Sequence, residues 1–205
     1  MSKVRAAVFD VGHVLYDWDP RYLYEALIED EAVRERFLAE VVTRDWHFQH
    51  DAGRLFAETS AELIARFPEH AALIEAFGPR FNETIPHPIP GMIEIVEELD
   101  ARGVPLFAIT NFSGEFWPPF RTRESHLFDR FRAIVVSGDE RMVKPDPAIY
   151  ALALDRFGLG ACEGVFIDDR ADNVAAANDA GLIGHLFEGA EGVRAKLVSL
   201  GLLDK

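Results

Sequence analysis

The sequence predicts an α/β fold in which a doubly wound parallel sheet carries an inserted all-helical segment. After Gly91, short apolar runs alternate with amphipathic helical patterns, an order typical of parallel strands joined by right-handed helical crossovers. From residue 21 to about residue 81, apolar residues recur at helical spacing and no strand pattern interrupts them. Hydrophobic residues make up 49% of the 205-residue chain, so a sizeable core can form.

The first predicted element is a buried strand over residues 6–9, which leads directly into Asp10. Gly12 then provides a turn before a second apolar pair at residues 14 and 15. In open α/β sheets, ligands bind in the crevice outside the carboxyl ends of the strands, so this strand would deliver Asp10 to the functional edge. An Asp at a strand end can equally be a plain turn former, and the residue alone does not decide between these interpretations.

The helical segment is predicted to begin after Asp19, which resembles an N-cap followed by Pro20 in the first turn. It ends at residues 85–91, where three prolines remove backbone donors and fix φ. That stretch predicts a stiff connector rather than a helix or a central strand. We therefore predict a helical domain over residues 17–87, inserted into an α/β core domain formed by residues 1–16 and 88–205.

Four further strands are predicted at residues 104–109, 133–136, 164–167 and 183–187. Helices are predicted from residue 92 to Gly103, after the turn at residues 144–147, through residues 174–177 and over about residues 192–200. Polar residues follow the apolar runs: Thr110 and Asn111 come after the second strand, and Asp168 and Asp169 after the fourth. The carboxyl edge of the sheet is therefore predicted to be rich in reactive groups.

Three carboxylates near one another repel, which raises their pKa values unless a cation holds them together. Hard oxygen ligands with few protein donors suit Mg²⁺. A lysine and a hydroxyl beside such a metal match what phosphoryl transfer requires, namely positioning and charge stabilisation. The sequence therefore predicts magnesium-dependent phosphoryl transfer with Asp10 as the nucleophile, which would form an aspartyl-phosphate. The groups that carry this prediction are Asp10, Thr110 with Asn111, Lys144, and Asp168 with Asp169.

The order of these motifs resembles that of the haloacid dehalogenase superfamily over essentially the whole chain. The first motif matches at Asp10, the second at Thr110, the third at Lys144 with the following proline, and the fourth at Asp168-Asp169. The resemblance implies a Rossmann-like core and a helical cap that closes over it during turnover. It also implies that Thr110 and Lys144 hold the phosphoryl group.

The same resemblance implies a ligand set for magnesium. Asp10 and Asp169 would bind the metal directly together with the Gly12 carbonyl, and Asp168 would act through water. Most phosphatases of the superfamily carry a second Asp two residues after the nucleophile as general acid and base, whereas this chain has Gly12 there. His13 could stand in as the proton donor and contact the substrate, although a histidine that hydrogen-bonds the turn backbone is the favoured interpretation.

The stretches FDVGHVLYDWDP, TNFSGEFWP, VKPDPAIY and FIDDRADN are similar to a bacterial subgroup of the superfamily that includes α-glucose-1-phosphate phosphatase. That phosphatase also has glycine at the position of Gly12, so activity without the second Asp is compatible with the resemblance. The implied activity is hydrolysis of a small phosphorylated metabolite, for example a sugar phosphate.

Two other functions remain open. An L-2-haloacid dehalogenase would also use the strand-end Asp and would need no metal. Those enzymes carry Ser-Ser-Asn at the fourth motif, where this chain has Asp168-Asp169-Arg170, and these carboxylates would repel a haloacid unless metal were bound. The second alternative is a non-catalytic phosphate- or protein-binding module of the same fold, which phosphate labelling of the first-motif Asp during turnover would exclude.

Asn111 and Trp117 are further candidate substrate-binding residues. Trp117 belongs to a group of aromatic residues after the first two motifs that could line a pocket for a sugar or aryl group. His47 and His50 lie three residues apart on a predicted helix, next to Asp51. This is a metal-ligand spacing, but no third His or Cys ligand is evident, so we interpret them as a polar face that is solvated or turned towards the cap.

The composition excludes several partner classes. The formal net charge is -14, with no basic face to offset it, so we expect no nucleic acid partner. Cys162 is the single cysteine, which excludes a disulfide framework and favours a reducing compartment, and we therefore expect a cytoplasmic protein. The first apolar run stops at Asp10, so neither a signal peptide nor a membrane span is expected. The oligomeric state is left open.

Overall fold

The computed structural model describes residues 4–204, and its largest feature is a five-stranded sheet with the order β5-β4-β1-β6-β7. All neighbouring strands of this sheet are parallel, so the predicted parallel α/β architecture is confirmed. The strands of the described residues are β1 (Ala6–Phe9), β2 (Tyr16–Asp17), β3 (His87–Pro88), β4 (Leu106–Thr110), β5 (Ala133–Val136), β6 (Gly164–Asp168) and β7 (Ile183–Leu186).

Helices cover both faces of this sheet. The described part of the chain contains α1 (Arg21–Glu25), α2 (Glu31–Glu40), α3 (Arg44–Asp51), α4 (Phe56–Arg66), α5 (Ala71–Phe77), α6 (Met92–Ala101), α7 (Trp117–Arg123), α8 (Ser125–Phe128), α9 (Ser137–Glu140), α10 (Pro147–Phe157), α11 (Ala171–Asp179) and α12 (Ala190–Ser199). Short 3₁₀ helices lie at Pro68–His70 and Phe81–Thr84. No helix within residues 4–204 is long and apolar enough to cross a membrane.

The central strand β1 shows why the strands of the parallel sheet are continuous apolar runs in the sequence. Its side chains alternate between two buried clusters: Ala7 and Phe9 join the cluster that contains α6 and α12, whereas Ala6 and Val8 join the cluster that contains α10 and α11. Since both faces of the strand are covered, no position in it is polar.

The strand order shows where this sheet forms a ligand-binding crevice. The chain moves outward from β1 to β4 and β5, and then returns to the other side of β1 to form β6 and β7. The order therefore reverses between β1 and β6, where open α/β sheets bind their ligands. Asp10 follows β1 directly and Asp168 is the last residue of β6, so both carboxylates lie at this switch point.

The helices α1 to α5 follow one another without an intervening strand, as the periodicity predicts. At the two ends of this segment, β2 and β3 pair as a short antiparallel ribbon, with Tyr16 opposite Pro88 and Asp17 opposite His87. The connector therefore contains a two-residue strand that the local pattern does not show, because the pairing depends on residues far earlier in the chain. The division into domains at residues 17–87 stays a prediction, and its outermost residues, 1–3 and 205, lie outside the described part.

Candidate active site

A buried lysine joins two of the predicted carboxylates at the switch point. The Lys144 Nζ atom lies 2.8 Å from Asp10 Oδ2 and 2.7 Å from Asp168 Oδ2, and the lysine side chain is fully buried. A buried ammonium group needs paired charges and hydrogen bonds to offset its desolvation. The two carboxylates supply both, so the chain places the first, third and fourth predicted motifs in direct contact.

The three carboxylates of this cluster carry more negative charge than one lysine offsets. Burial raises the pKa of Asp10; the Lys144 ammonium opposes that rise and the Asp168 carboxylate adds to it. Burial and the same Asp168 charge also raise the pKa of Asp169. For Lys144, burial alone would lower the pKa, but Asp10 and Asp168 hold it above its usual value. An additional cation would therefore be favourable beside these carboxylates.

The hydrogen bonds of Asp168 occupy both of its carboxylate oxygens. Its Oδ1 accepts from the Arg170 backbone N–H at 2.9 Å and from Asn173 Nδ2 at 2.9 Å. Its Oδ2 accepts from Lys144 Nζ at 2.7 Å and from Asn173 Nδ2 at 3.1 Å. Asp168 is thus already held by protein donors on both oxygens, and its main effect is to position Lys144 and Asn173.

The carboxylates also form the one candidate metal site among residues 4–204. Asp10, Asp168 and Asp169 each offer a carboxylate oxygen, and these three oxygens lie within 4.8 Å of one another. Three hard oxygen donors at this separation fit Mg²⁺. Gly12, the fourth predicted ligand, lines the same cavity as Asp10 and Asp169.

Asn111 fixes the loop that carries Lys144. Its side-chain amide Nδ2 donates to the Lys144 carbonyl at 3.0 Å, and its Oδ1 accepts from the Lys144 backbone N–H at 2.8 Å. Asn111 does line the cavity, but both of its polar atoms are used by this loop. The preceding Thr110 is fully buried, and its hydroxyl oxygen has no hydrogen-bond partner in the described structure. Thr110 is not among the residues that line the cavity, so its contact with the phosphoryl group stays a prediction.

The cluster opens into a cavity of about 630 Å³, a volume suited to a small-molecule ligand. The lining includes the charged groups Asp10, Lys144 and Asp169 and the aromatic side chains Trp18 and Phe81. The cavity therefore offers a ligand both charged and apolar contacts.

Helix α3 supplies a wall of this cavity that sequence reasoning missed. Arg44, His47, Phe48 and Asp51 all line the cavity, and they stand at positions i, i+3, i+4 and i+7 of one helix. This spacing places the four side chains on a single face. The stripe was detectable in the sequence RDWHFQHD, but nothing local indicates that a polar stripe turns inward.

The sequence allows His47 and His50 to form a face that is solvated or turned towards the cap, and the solvated alternative is wrong, because aromatic side chains bury both rings. His47 stacks on Trp18 and on Phe81, with ring centroids 4.6 Å and 5.7 Å apart. His50 is fully buried, and its Nε2 lies 2.6 Å from the Thr59 hydroxyl. Burial lowers the pKa of His47 to about 3 and that of His50 to about 4. Both rings are therefore neutral near pH 7.

The buried His50 leads to a prediction about acid stability. Its pKa of about 4 in the folded state, lowered by burial and by the Arg54 charge, lies below the value of 6.5 expected for an unfolded chain. Between these values the unfolded chain binds more protons, so stability falls as the pH drops through this window. From pH 7 to pH 5, His50 is expected to cost wild type about 2 kcal/mol of unfolding free energy.

The matched variant is His50→Gln, which keeps a hydrogen-bonding group near Thr59 but does not titrate. Urea unfolding of both proteins at the two pH values measures the difference. The variant is expected to lose less stability on acidification than wild type, by about the 2 kcal/mol that linkage assigns to this group. Equal losses in the two proteins would show that His50 is not held neutral by the fold.

The structure separates the two remaining candidates for substrate contact. His13 lines the cavity; its backbone N–H donates to the Tyr16 carbonyl at 2.7 Å, and its side chain is 43% exposed. Trp117 is 6% exposed and does not line the cavity. Its ring packs on Phe112 and Phe128 at centroid distances of 5.3 Å and 5.0 Å. The structure therefore gives Trp117 a packing role, while His13 stays a candidate for substrate contact.

Comparison with known proteins agrees with this geometry. A family model for haloacid dehalogenase-like hydrolases matches residues 4–181. A sesquiterpene phosphatase of Aspergillus oryzae is 29% identical over 194 residues, which cover 90% of this chain and 90% of that protein. A glyceraldehyde 3-phosphate phosphatase of Methanopyrus kandleri is 26% identical over 200 residues, which cover 88% of this chain and 82% of that protein.

Among solved structures, the fold is similar to that of a haloacid dehalogenase family enzyme from Bacteroides thetaiotaomicron in complex with magnesium and inorganic phosphate. The TM-score is 0.67 at 20% identity, and the alignment covers 91% of this chain and 95% of that chain. This likeness shows the fold alone. The two named phosphatases act on other substrate classes, so the finer resemblance to the α-glucose-1-phosphate phosphatase subgroup stays a prediction.

Proposed function

This chain belongs to the haloacid dehalogenase-like hydrolases, and from that premise we propose that it is a magnesium-dependent phosphomonoester hydrolase that forms an aspartyl-phosphate on Asp10. The observation that carries the proposal is the contact of Lys144 Nζ with both Asp10 and Asp168 at the switch point of the sheet. The phosphatases among its relatives support the same reaction class.

In the proposed reaction, a carboxylate oxygen of Asp10 attacks the phosphorus atom and the bond from phosphorus to the leaving oxygen breaks. Asp10 is suited to this because its Oδ1 is held by the Val11 backbone N–H at 2.7 Å, which fixes the orientation of the carboxylate. Lys144 offsets negative charge on the transferred group. Water then attacks the phosphorus atom, phosphate leaves and the Asp10 carboxylate is restored.

The magnesium ion would be held by Asp10 and Asp169, with the Gly12 carbonyl as a further ligand and Asp168 in an outer position. Bound there, it would supply charge neutralisation for the phosphoryl oxygens. The hydrogen bonds of Asp168 support this division, because both of its oxygens already accept from protein donors. The outer position fits a carboxylate whose function is to orient its neighbours.

The shape of the cavity supports a small phosphate ester as substrate. A volume of about 630 Å³ accommodates a metabolite, and the aromatic side chains Trp18 and Phe81 in its lining suit a sugar ring or an apolar leaving group. We keep a sugar phosphate as the proposed substrate class, in line with the resemblance to the glucose-1-phosphate phosphatase subgroup. A cytoplasmic location, expected from the single cysteine, stays a prediction.

The test is a panel of phosphate esters assayed with Mg²⁺ and with a chelator. The panel includes sugar phosphates, nucleotides and aryl phosphates, and a parallel set contains L-2-haloacids. Phosphate release that depends on Mg²⁺ is expected, and the ester with the highest kcat/KM identifies the leaving-group class. Halide release that persists with the chelator would instead support the dehalogenase, and binding of phosphate esters without turnover would support a non-catalytic module.

A further inference from the structure

The active-site cavity contains a carboxyl group that the proposed function has not used. Asp51, at the end of α3, lines the cavity together with Asp10. The residue is 7% exposed, and its Oδ1 has no hydrogen-bond partner among residues 4–204. A carboxyl oxygen that is buried and unpaired costs free energy, so such a group in a cavity calls for an explanation beyond packing.

The backbone of Asp51 is fixed to the α/β part of the chain. Its carbonyl accepts a hydrogen bond of 2.6 Å from the Ser137 hydroxyl, and the same hydroxyl accepts from the Phe112 backbone N–H at 3.0 Å. The side chain therefore projects from an anchored helix end. The nearest cation-forming group to its free oxygen is His47, whose Nε2 lies 3.6 Å away, beyond hydrogen-bond distance.

We propose that Asp51 is the proton donor and acceptor of the reaction, in place of the carboxyl group that is absent at Gly12. This inference rests on the proposed phosphatase function. The cavity position, the burial and the unpaired oxygen of Asp51 carry it. General acid–base catalysis of this kind contributes about 10²–10⁴-fold where the leaving group needs a proton.

The proton balance closes over the two half-reactions. As Asp10 attacks phosphorus, the bond to the leaving oxygen breaks and that oxygen takes the proton of the Asp51 carboxyl group, which yields an alcohol and a carboxylate. In the second half, water attacks the phosphorus of the aspartyl-phosphate and the Asp51 carboxylate takes one proton from that water. Phosphate leaves, and Asp10 and Asp51 return to their starting states.

The protonation of Asp51 agrees with this assignment. Burial raises its pKa to about 8, the negative charge of Asp10 adds to the rise and Lys144 opposes it. The adjacent His47 ring is neutral, since burial lowers its pKa to about 3. A group with a pKa close to the working pH can both give and receive a proton.

The other candidates for this proton transfer fit less well. His47 is held neutral, so it has no imidazolium proton to give near pH 7. His13 lines the cavity, but its side chain is 43% exposed and its Nδ1 faces Asp17 Oδ1 at 3.9 Å. Because the His13 ring is exposed, water can reach the same position and supply the proton in its place. Asp51 combines burial, an oxygen without a hydrogen-bond partner and a place in the cavity lining.

The experiment compares single-turnover phosphorylation of the enzyme by an aryl phosphate and by a simple alkyl phosphate, both with saturating Mg²⁺. An aryl leaving group departs as a stabilised phenolate and needs little help, whereas an alkoxide needs a proton. Asp51→Asn is expected to slow the alkyl reaction by about 100-fold or more, and the aryl reaction far less. Asp45→Asn is the matched control, because Asp45 is an exposed carboxylate of the same helix that does not line the cavity.

Two further measurements extend the test, and the first of them uses wild type alone, so it stays decisive even if Asp51→Asn folds poorly. In wild type, the alkyl rate is expected to fall as the pH rises through about 8, where the acid form of Asp51 is lost, while the aryl rate changes little. In the double variant with Gly12→Asp and Asp51→Asn, part of the alkyl rate is expected to return. Gly12 tolerates a side chain, because a Cβ there meets no atom within 4 Å and its φ is not left-handed.

Equal losses for alkyl and aryl esters in Asp51→Asn, or the same pH profile for both esters in wild type, would overturn the assignment to Asp51. Failure of the proposed function gives a different result. In that case wild type itself would release no phosphate from any ester with Mg²⁺. The assignment of Asp51 as proton donor would then also fail, without any comparison of variants.

Discussion

Asp10→Asn is expected to lower phosphoester turnover by at least about 1,000-fold, because the amide is not a nucleophile that can form the acyl phosphate. The substitution also removes one oxygen ligand with its charge from the metal site. The structure gives Asp10 a contact of 2.8 Å with Lys144 and a bond of 2.7 Å from the Val11 backbone. The amide oxygen can still accept from Val11, so the loop after β1 is expected to keep its conformation.

The measurement is kcat for the best ester of the panel, together with thermal unfolding of both proteins. The fold is expected to survive, because burial raises the pKa of Asp10 and a neutral amide removes the cost of that buried charge. Lys144 retains its contact of 2.7 Å with Asp168. A variant that folds normally and keeps a tenth or more of the wild-type rate would exclude Asp10 as the nucleophile.

The second large effect concerns the fourth motif, where neighbouring carboxylates are expected to respond differently. Asp169→Asn is expected to weaken Mg²⁺ binding by more than about 100-fold, as the loss of a direct ligand exceeds that of an outer-shell partner. Asp168→Asn is expected to weaken it less but to lower the stability of the metal-free protein by about 3 kcal/mol, because it breaks a buried ion pair. Asp168 holds Lys144, Asn173 and the Arg170 backbone.

Magnesium titration by calorimetry and urea unfolding in a chelator measure the two effects separately. The pair of variants is its own control, since each changes one carboxylate into an amide of the same size. Equal shifts in the magnesium affinity of the two variants would contradict the division into a direct and an outer position. Equal losses of stability would contradict the structural position of Asp168.

Much of the core could be predicted from the sequence because its signals are local. Each strand of the parallel sheet is buried on both faces and therefore appears as a short apolar run, and Asp10 and Asp168 stand where such runs end. Since parallel strands end at one edge of the sheet, the meeting of these residues follows from the strand pattern alone. Lys144 lies in a turn, so the strand pattern does not place it in the cluster. Its position there was predicted because phosphoryl transfer needs a positive charge beside the transferred group.

The substrate side of the cavity could not be predicted, because it depends on contacts between distant residues. His47 is polar and lies in a polar stretch, yet the rings of Trp18 and Phe81 stack on it and help to bury it. Trp117 is adjacent to the second motif, yet its ring turns into the core against Phe128. The position of Asp51 likewise depends on Ser137, which lies in another part of the chain. No local pattern reports such contacts.

A phosphorylated Asp10 is the central intermediate of the proposed reaction. Wild type is mixed with a radiolabelled aryl phosphate and Mg²⁺, quenched in acid within the first turnover and digested for peptide mapping. Label that is stable in acid, is released by hydroxylamine and lies on the peptide containing Asp10 is the predicted result, with none in Asp10→Asn. A burst of phenol equal to the enzyme concentration with label only in free phosphate, or label on another residue, would contradict it.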